Sequence, residues 1–146
     1  MDFLTSLKIS ASGLSALRKR QAAISSNIAN AQTTRTVEGG PYRRKEVALG
    51  SEPARDSFGD ILEGELNEQA QAVHATEVIS SNKPPVLKYE PNHPDADDKG
   101  YVAYPDINVM EEMADMISTQ RAFDANITAI GTTKQMAMKA LEIGKN

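Results

Sequence analysis

Apolar residues recur with helical spacing at both ends of the chain. From Val109, alternate steps of four and three reach Met113, Met116, Gln120, Phe123, Ile127, Ile130, Lys134, Ala137 and Leu141. This is a heptad seam held for about five heptads, with polar breaks only at Gln120 and Lys134. Asn108 stands where an N-cap accepts an early backbone N–H, and Glu111 three residues on can reach back to it. Acids crowd the first turns (Glu111, Glu112, Asp115) and bases the last (Lys134, Lys139, Lys145), as the helix dipole prefers. Some 36 residues of helix make a rod of roughly 54 Å. A compact domain of this size is only about 30 to 35 Å across, so the helix overhangs its own body. Its apolar seam calls for partners beyond that body.

Residues 3–31 predict a second long helix. Leu14, Leu17, Gln21, Ile24, Ile28 and Ala31 step by three and four, and Phe3 and Leu7 extend the stripe backwards. Arg18, Lys19 and Arg20 flank the stripe and face water. Gly13 and many Ser and Ala weaken this helix in isolation but let neighbours approach closely. Asn27, Asn30 and Thr33-Thr34 end it, and Glu38-Gly39-Gly40-Pro41 is a firm break.

Between the helices the pattern turns to alternation. Strands are predicted at Tyr42–Leu49, Val73–Ser80, Val86–Tyr89 and Tyr101–Tyr104. Pro84-Pro85, the Pro91–Lys99 loop with Gly100, and Pro105 punctuate them. From Ser51 to Ala72 the chain is acidic and ambiguous, with Phe58, Ile61, Leu62 and Leu66 suiting a short helix or a loop. The expected fold is mainly α with a small β-rich insert. Terminal helices 1–35 and 108–146 pair as a coiled-coil-like hairpin, and residues 36–107 form a protruding module.

Charge refines this layout. The 146 residues carry a net charge of −4, which argues against a general nucleic-acid binder. Residues 1–50 hold eight Lys/Arg against three Asp/Glu, whereas residues 51–110 hold four against twelve. A basic first third and an acidic middle suit copies meeting head to tail, although ordinary solvated faces give the same numbers. Aromatics are 5% of the chain, so the core is thin. The absence of cysteine excludes a disulfide framework, a thiolate metal site and a Cys nucleophile. Met1–Ala11 is amphipathic and does not read as a signal peptide, and no apolar run is long enough to span a membrane.

Candidate chemistry is sparse. Asp95-Ala96-Asp97-Asp98-Lys99-Gly100 with Asp106 has the outline of a calcium loop, but Lys99 sits at a ligand position and prolines forbid the preceding helix. His74 and His93 are 19 residues apart with no further convergent ligands. No Gly-x-Ser-x-Gly occurs, Gly39-Gly40 precedes proline instead of a phosphate-binding helix, and Glu63/Glu65 and Glu111/Glu112 read as solvated faces. Arg43-Arg44-Lys45 with Tyr42 is too small a basic patch for nucleic acid. Met110, Met113, Met116, Met136 and Met138 at helical spacing read as packing residues, not a cofactor box.

Ser12-Gly13-Leu14-Ser15-Ala16-Leu17 followed by Ser26-Asn27-Ile28-Ala29-Asn30-Ala31-Gln32-Thr33-Thr34 resembles the N-terminal signature of the bacterial flagellar rod, hook and hook-associated proteins. Gly39-Gly40-Pro41-Tyr42-Arg43-Arg44-Lys45, Pro91-Asn92-His93-Pro94-Asp95-Ala96-Asp97 and Gly100-Tyr101-Val102 narrow it to the proximal-rod members. So does the end from Glu112-Met113 to Lys139-Ala140-Leu141-Glu142-Ile143-Gly144. Arg35 departs from the wider group, many of whose members have Gly there. The resemblance implies a structural rod subunit, without enzymatic activity or cofactor, in the periplasmic drive shaft. It implies type III export without a cleaved signal, and terminal helices that are disordered until they pack into an inner tube. Implied partners are further copies, FlgB, FlgF, FlgG and FliE. The assembly positions it implies are Leu14, Leu17, Ile24, Asn27, Ile28 and Asn30, with Met113, Met116, Phe123, Ile127, Ile130 and Leu141 in the C-terminal seam; Asn27 and Asn30 are expected to set helix-end hydrogen bonds.

Overall fold

The computed structural model describes residues 3–53 and 71–144. Phe58, Ile61, Leu62, Glu63, Glu65, Leu66, Lys145 and the Phe3 side chain lie outside what is described. Six elements follow in order: α1 (Phe3–Ala29), β1 (Lys45–Pro53), β2 (Gln71–Ser80), β3 (Val86–Tyr89), β4 (Tyr101–Tyr104) and α2 (Val109–Ile143). Two long helices with a small β-rich insert is the architecture expected from the pattern. Asn108 caps α2 through Oδ1, which accepts the Met110 N–H at 3.1 Å. Gly144 closes it, its N–H reaching the Ala140 carbonyl at 3.2 Å.

The strands form two separate antiparallel ribbons, β1–β2 and β3–β4. β3 and β4 match their expected bounds, because Pro84-Pro85, Gly100 and Pro105 leave little choice. β1 starts three residues later than expected, at Lys45, since the Tyr42 side chain is drawn into another contact described below. In the first ribbon Lys45 pairs Ser80, and a bulge at Thr76 shifts the register so that Leu49 pairs Ala75. In the second, Val86 pairs Tyr104 and Tyr89 pairs Tyr101. Gly100 turns the β3–β4 loop at φ 79°, and a Cβ there would lie 2.9 Å from the Tyr89 ring. Asp97 Oδ1 braces the loop by accepting the backbone N–H of Lys99 and Tyr101 at 2.9 and 2.7 Å. Asp95 instead accepts the Thr34 hydroxyl at 2.8 Å. Asp95 and Asp97 of the calcium-like stretch are thus engaged by the chain's own donors.

The first ribbon lies diagonally along α1. At one end Asn27 grips the outer edge of β1 at Lys45; at the other Ser12 Oγ accepts the N–H of Val73 on β2 at 3.2 Å. Val73 is two strand-partners from the tip, opposite Ser51. Six residues of strand, about 20 Å, thus run alongside fifteen residues of helix, about 22 Å.

α2 packs antiparallel on the other side of α1. Asn126 touches Gly13 (3.7 Å to a Cβ built there), Arg18 lies over the Phe123 ring, Gln21 donates to Gln120 at 3.1 Å, and Asn27 meets Glu112. The buried and half-buried residues of α2 step as Glu112, Met116 (with Asp115 beside it), Thr119, Phe123, Asn126, Ile130, Thr133 and Ala137. Alternate members of the expected seam (Met116, Phe123, Ile130 and Ala137) line the contact with α1, and Gln120 meets it only at the exposed edge. The others are displaced by one position, so small and polar residues fill the interhelical contact while Met113, Ile127 and Leu141 face outward. α1 shows the same shift: Ala16, Ala23 and Asn27 are buried, whereas Leu14, Leu17 and Ile28 remain half-buried on its flank.

The core is correspondingly thin. Among the described residues the buried apolar side chains are Ala16, Ala23, Ile24, Ala72 and Val102. The chain exposes 10717 Å². A compact protein of its mass exposes roughly 7300 Å².

Candidate assembly interface

The most deeply buried side chains outside that core are polar, and they tie three elements together. Asn27, near the end of α1, is 1% exposed, and so is Glu112 in the first turn of α2. Asn27 Nδ2 donates to the Lys45 carbonyl at 2.9 Å and to Glu112 Oε2 at 3.0 Å. Asn27 Oδ1 accepts the Lys45 N–H at 2.8 Å and the Tyr42 hydroxyl at 3.2 Å. With Tyr42 donating there, Ser26 Oγ is the donor in its 2.9 Å contact with Tyr42. All four hydrogen-bonding positions of the Asn27 amide are used. Two of them copy the way a neighbouring strand would pair with Lys45.

Arg44 completes the knot. Its Nε donates to Glu112 Oε1 at 2.7 Å, and Nη1 pairs with Glu46. Burial opposes the Arg44 charge, but the hydrogen bond to Glu112 and the charges of Glu112, Glu46 and Asp115 outweigh it and raise the guanidinium pKa above its ordinary value. Glu112 is therefore not the solvated carboxylate expected from its neighbour Glu111, and Arg44 is not a free member of a basic patch. The only hint in the sequence was a helix-first-turn acid; its partner lies 68 residues away. Asn27 likewise bridges elements instead of finishing a helix. Asn30 does finish one: its Nδ2 donates to the Ser26 carbonyl at 2.9 Å, and its Oδ1 accepts the Thr33 hydroxyl at 3.2 Å. The knot is a fastening without a substrate cavity. A shallow charged cleft of about 280 Å³ lies over it, between Arg20, Glu46 and Asp115.

The remaining expected interface residues divide by exposure. Ile24 is buried beside the knot; Leu14, Leu17, Ile28, Met116, Phe123 and Ile130 are half-buried along the helix pair. Met113, Ile127 and Leu141 are 49%, 48% and 75% exposed, and Met110, Ile117 and Met138 join them on the outer side of α2. Along the helix Met113, Ile117, Gln120, Asp124, Ile127, Gly131, Lys134 and Met138 follow helical spacing, a second, mixed apolar and polar face beside the one on α1. Its exposed apolar members are Met113, Ile117, Ile127 and Met138. Among the described residues no cluster of His, Cys, Asp and Glu could hold a metal ion, and no helix is long and apolar enough to cross a membrane.

Comparison with known proteins places these features. Residues 7–35 match the family model described as flagella basal body rod protein, and residues 98–143 match flagellar basal body rod FlgEFG protein C-terminal. The chain is 42% identical to the flagellar basal-body rod protein FlgC of Bacillus subtilis, covering 99% of this chain and 100% of that one. It is 40% identical to FlgC of Borreliella burgdorferi over 98% of both chains, and 36% identical to FlgC of Salmonella typhimurium over 99% and 100%. The matched segments hold α1 from Leu7 through its Asn27 end, and β4 with all of α2.

Proposed function

The chain belongs to the FlgC family of flagellar basal-body rod proteins, and from that membership we propose how it builds the rod. It is a structural subunit of the basal body, not an enzyme. In the proposed arrangement the helices 1–35 and 108–146 line an inner tube, where they complete coiled-coil-like seams with neighbouring copies. Residues 36–107 form the outward module. The subunit stands in the proximal rod within the periplasm, reached by type III export without a cleaved signal. Its neighbours are further copies of itself, FlgB, FlgF, FlgG and FliE.

One observation carries this reading: Met110, Met113, Ile117, Ile127, Met138 and Leu141 stand exposed along the outer side of α2, and the chain exposes 10717 Å² against the roughly 7300 Å² of a compact protein of its mass. A surface of that size and character is unstable alone and is satisfied by neighbours. The thin core adds that order is graded. Near the knot α1 and α2 hold each other; toward residues 130–144 only half-buried contacts remain. Hydrogen exchange on the purified chain should protect residues 20–30 and 109–120 and leave the far half of α2 close to coil rates. Ile127→Asp changes only the outward row, so it should abolish rod assembly and motility while leaving the knot protected from exchange. Normal motility in that strain sinks the seam argument.

A further inference from the structure

Both ribbons are two-stranded, and each leaves an outer edge whose chemistry can be read. The Glu90 N–H bonds the Gly100 carbonyl at 2.9 Å, continuing the β3–β4 register. Alternation then turns the N–H and C=O of Val86 and Lys88 toward β4, and those of Leu87 outward. Likewise the Ser81 N–H bonds the Arg44 carbonyl at 2.8 Å, so Glu77 and Ile79 face β1 and the backbone groups of Val78 point outward. Among the described residues neither ribbon's open edge is covered by another element there. The side chains are as unusual as the edges: Val78, Ile79, Val86 and Leu87 are 44–63% exposed. Lone two-stranded ribbons are marginal, and open apolar edges recruit a further strand.

We propose that these two edges are made for each other, the β3 edge of one copy adding to the β2 edge of a second copy as an antiparallel strand. One register satisfies both. Leu87 stands opposite the second copy's Val78 as the hydrogen-bonded pair, Val86 opposite Ile79, and Lys88 opposite Glu77. All four exposed apolar residues are then covered and the charges are opposed in sign. Glu77 makes no ion pair within its own molecule among the described residues, and Lys88 only lies over the Tyr104 ring at 4.7 Å. Pro85 ends the ladder on one side and the Thr76 bulge on the other, which fixes the register. The alternative, β3 against a second β3, sets Lys88 opposite Lys88 or, centred on Leu87, opposite Val86, and in either register it leaves Val78, Ile79 and Glu77 without partners. Because the two edges are different surfaces, the contact is heterologous and leaves each copy a free edge for the next, as a helical polymer needs. The ladder is short and acts in addition to the helical seams; this inference rests on the polymer reading above.

The chain's lack of cysteine makes the test clean. Cells deleted for their own copy express an Ile79→Cys chain together with a size-tagged Val86→Cys chain, and are treated with a thiol oxidant. Mixed dimers should exceed dimers of either variant alone by roughly fivefold, since only Ile79 and Val86 are cross-strand partners in this register. Glu77→Lys or Lys88→Glu, placed in both chains, should each reduce the mixed dimer and shrink swarming, and the double reversal should restore both. The edge contact is overturned if mixed dimers are no more abundant than like dimers, or if the double reversal behaves no better than the singles. In either case a motile strain carrying the unaltered chain leaves the subunit reading standing, while normal motility of Ile127→Asp would remove the helical-seam argument separately.

Discussion

Asn27→Asp is the sharpest perturbation of the knot, because it keeps size and shape and changes one NH2 group to oxygen. The new side chain still accepts the Lys45 N–H and the Tyr42 hydroxyl. It loses the donations to the Lys45 carbonyl at 2.9 Å and to Glu112 at 3.0 Å. A neutral hydrogen bond is worth about 1 kcal/mol net, and one to a carboxylate about 1.5–3 kcal/mol. Two carboxylate oxygens also face each other in a site 1% exposed, which adds repulsion. The expected deficit is about 3–5 kcal/mol near pH 8, a large share of the stability of any small domain. The cost is conditional on charge. A proton placed between the introduced carboxylate and Glu112 restores a donor, so folding raises the pKa of this pair relative to the unfolded chain. A raised pKa contributes stability that is complete below the unfolded value and is lost as pH rises through the folded one. Urea unfolding followed by far-UV circular dichroism, at about pH 5 and about pH 8, should therefore show a smaller deficit in acid by at least ~1 kcal/mol. Asn27→Ala, which has no proton to gain, should keep its deficit at both. Equal deficits for Asn27→Asp at the two pH values, or one below ~1 kcal/mol at about pH 8, would refute the knot as the fastening of the fold.

Other changes test other parts. Thr119 is buried between the helices and its hydroxyl has no hydrogen-bond partner. Thr119→Val should raise stability by about 1 kcal/mol in the same urea assay. Gly100→Ala forces a side chain into a left-handed turn and against the Tyr89 ring, and should destabilise the β3–β4 module by about 1–3 kcal/mol, seen as faster exchange at Tyr101–Tyr104. The hydrogen bond to Glu90 at 2.9 Å, then loss of hydration, then the Glu90 charge raise the Tyr104 phenol above its ordinary pKa. Its contribution is present below the ordinary phenol range and fades as pH rises through the folded value. Ultraviolet titration should show one late phenol that disappears in Tyr104→Phe.

What the sequence displayed and what it hid follow from where each partner lies. β3 and β4 were legible because prolines and Gly100 bound them locally. The length of α2 and its Asn108 cap were legible for the same reason. The face that α2 turns to α1 was not, because the strongest apolar row is a signal for burial somewhere, and here half of it points away from the chain's own body. Glu112 and Arg44 were hidden by a different cause. A charged residue beside another exposed one looks solvated until a guanidinium 68 residues distant is folded onto it. The small residues of α1 (Gly13, Ala16 and Ala23) carried the correct message that neighbours come close, but not which neighbours.

The knot grips α2 at its first turn and the contacts with α1 thin toward Ala137, so the far end of the helix acts as a lever. From Glu112 to Ile143 is about 46 Å of rise, with the ribbon touching α1 and not α2. A tilt of about 5° at the fastened end therefore sweeps the far end by about 4 Å, close to the width of one side chain. It re-aims Leu141 and Ile143, the residues that reach farthest from the subunit's own body. Stiffness at one end and reach at the other allow a single sequence to meet neighbours of slightly different radius without refolding.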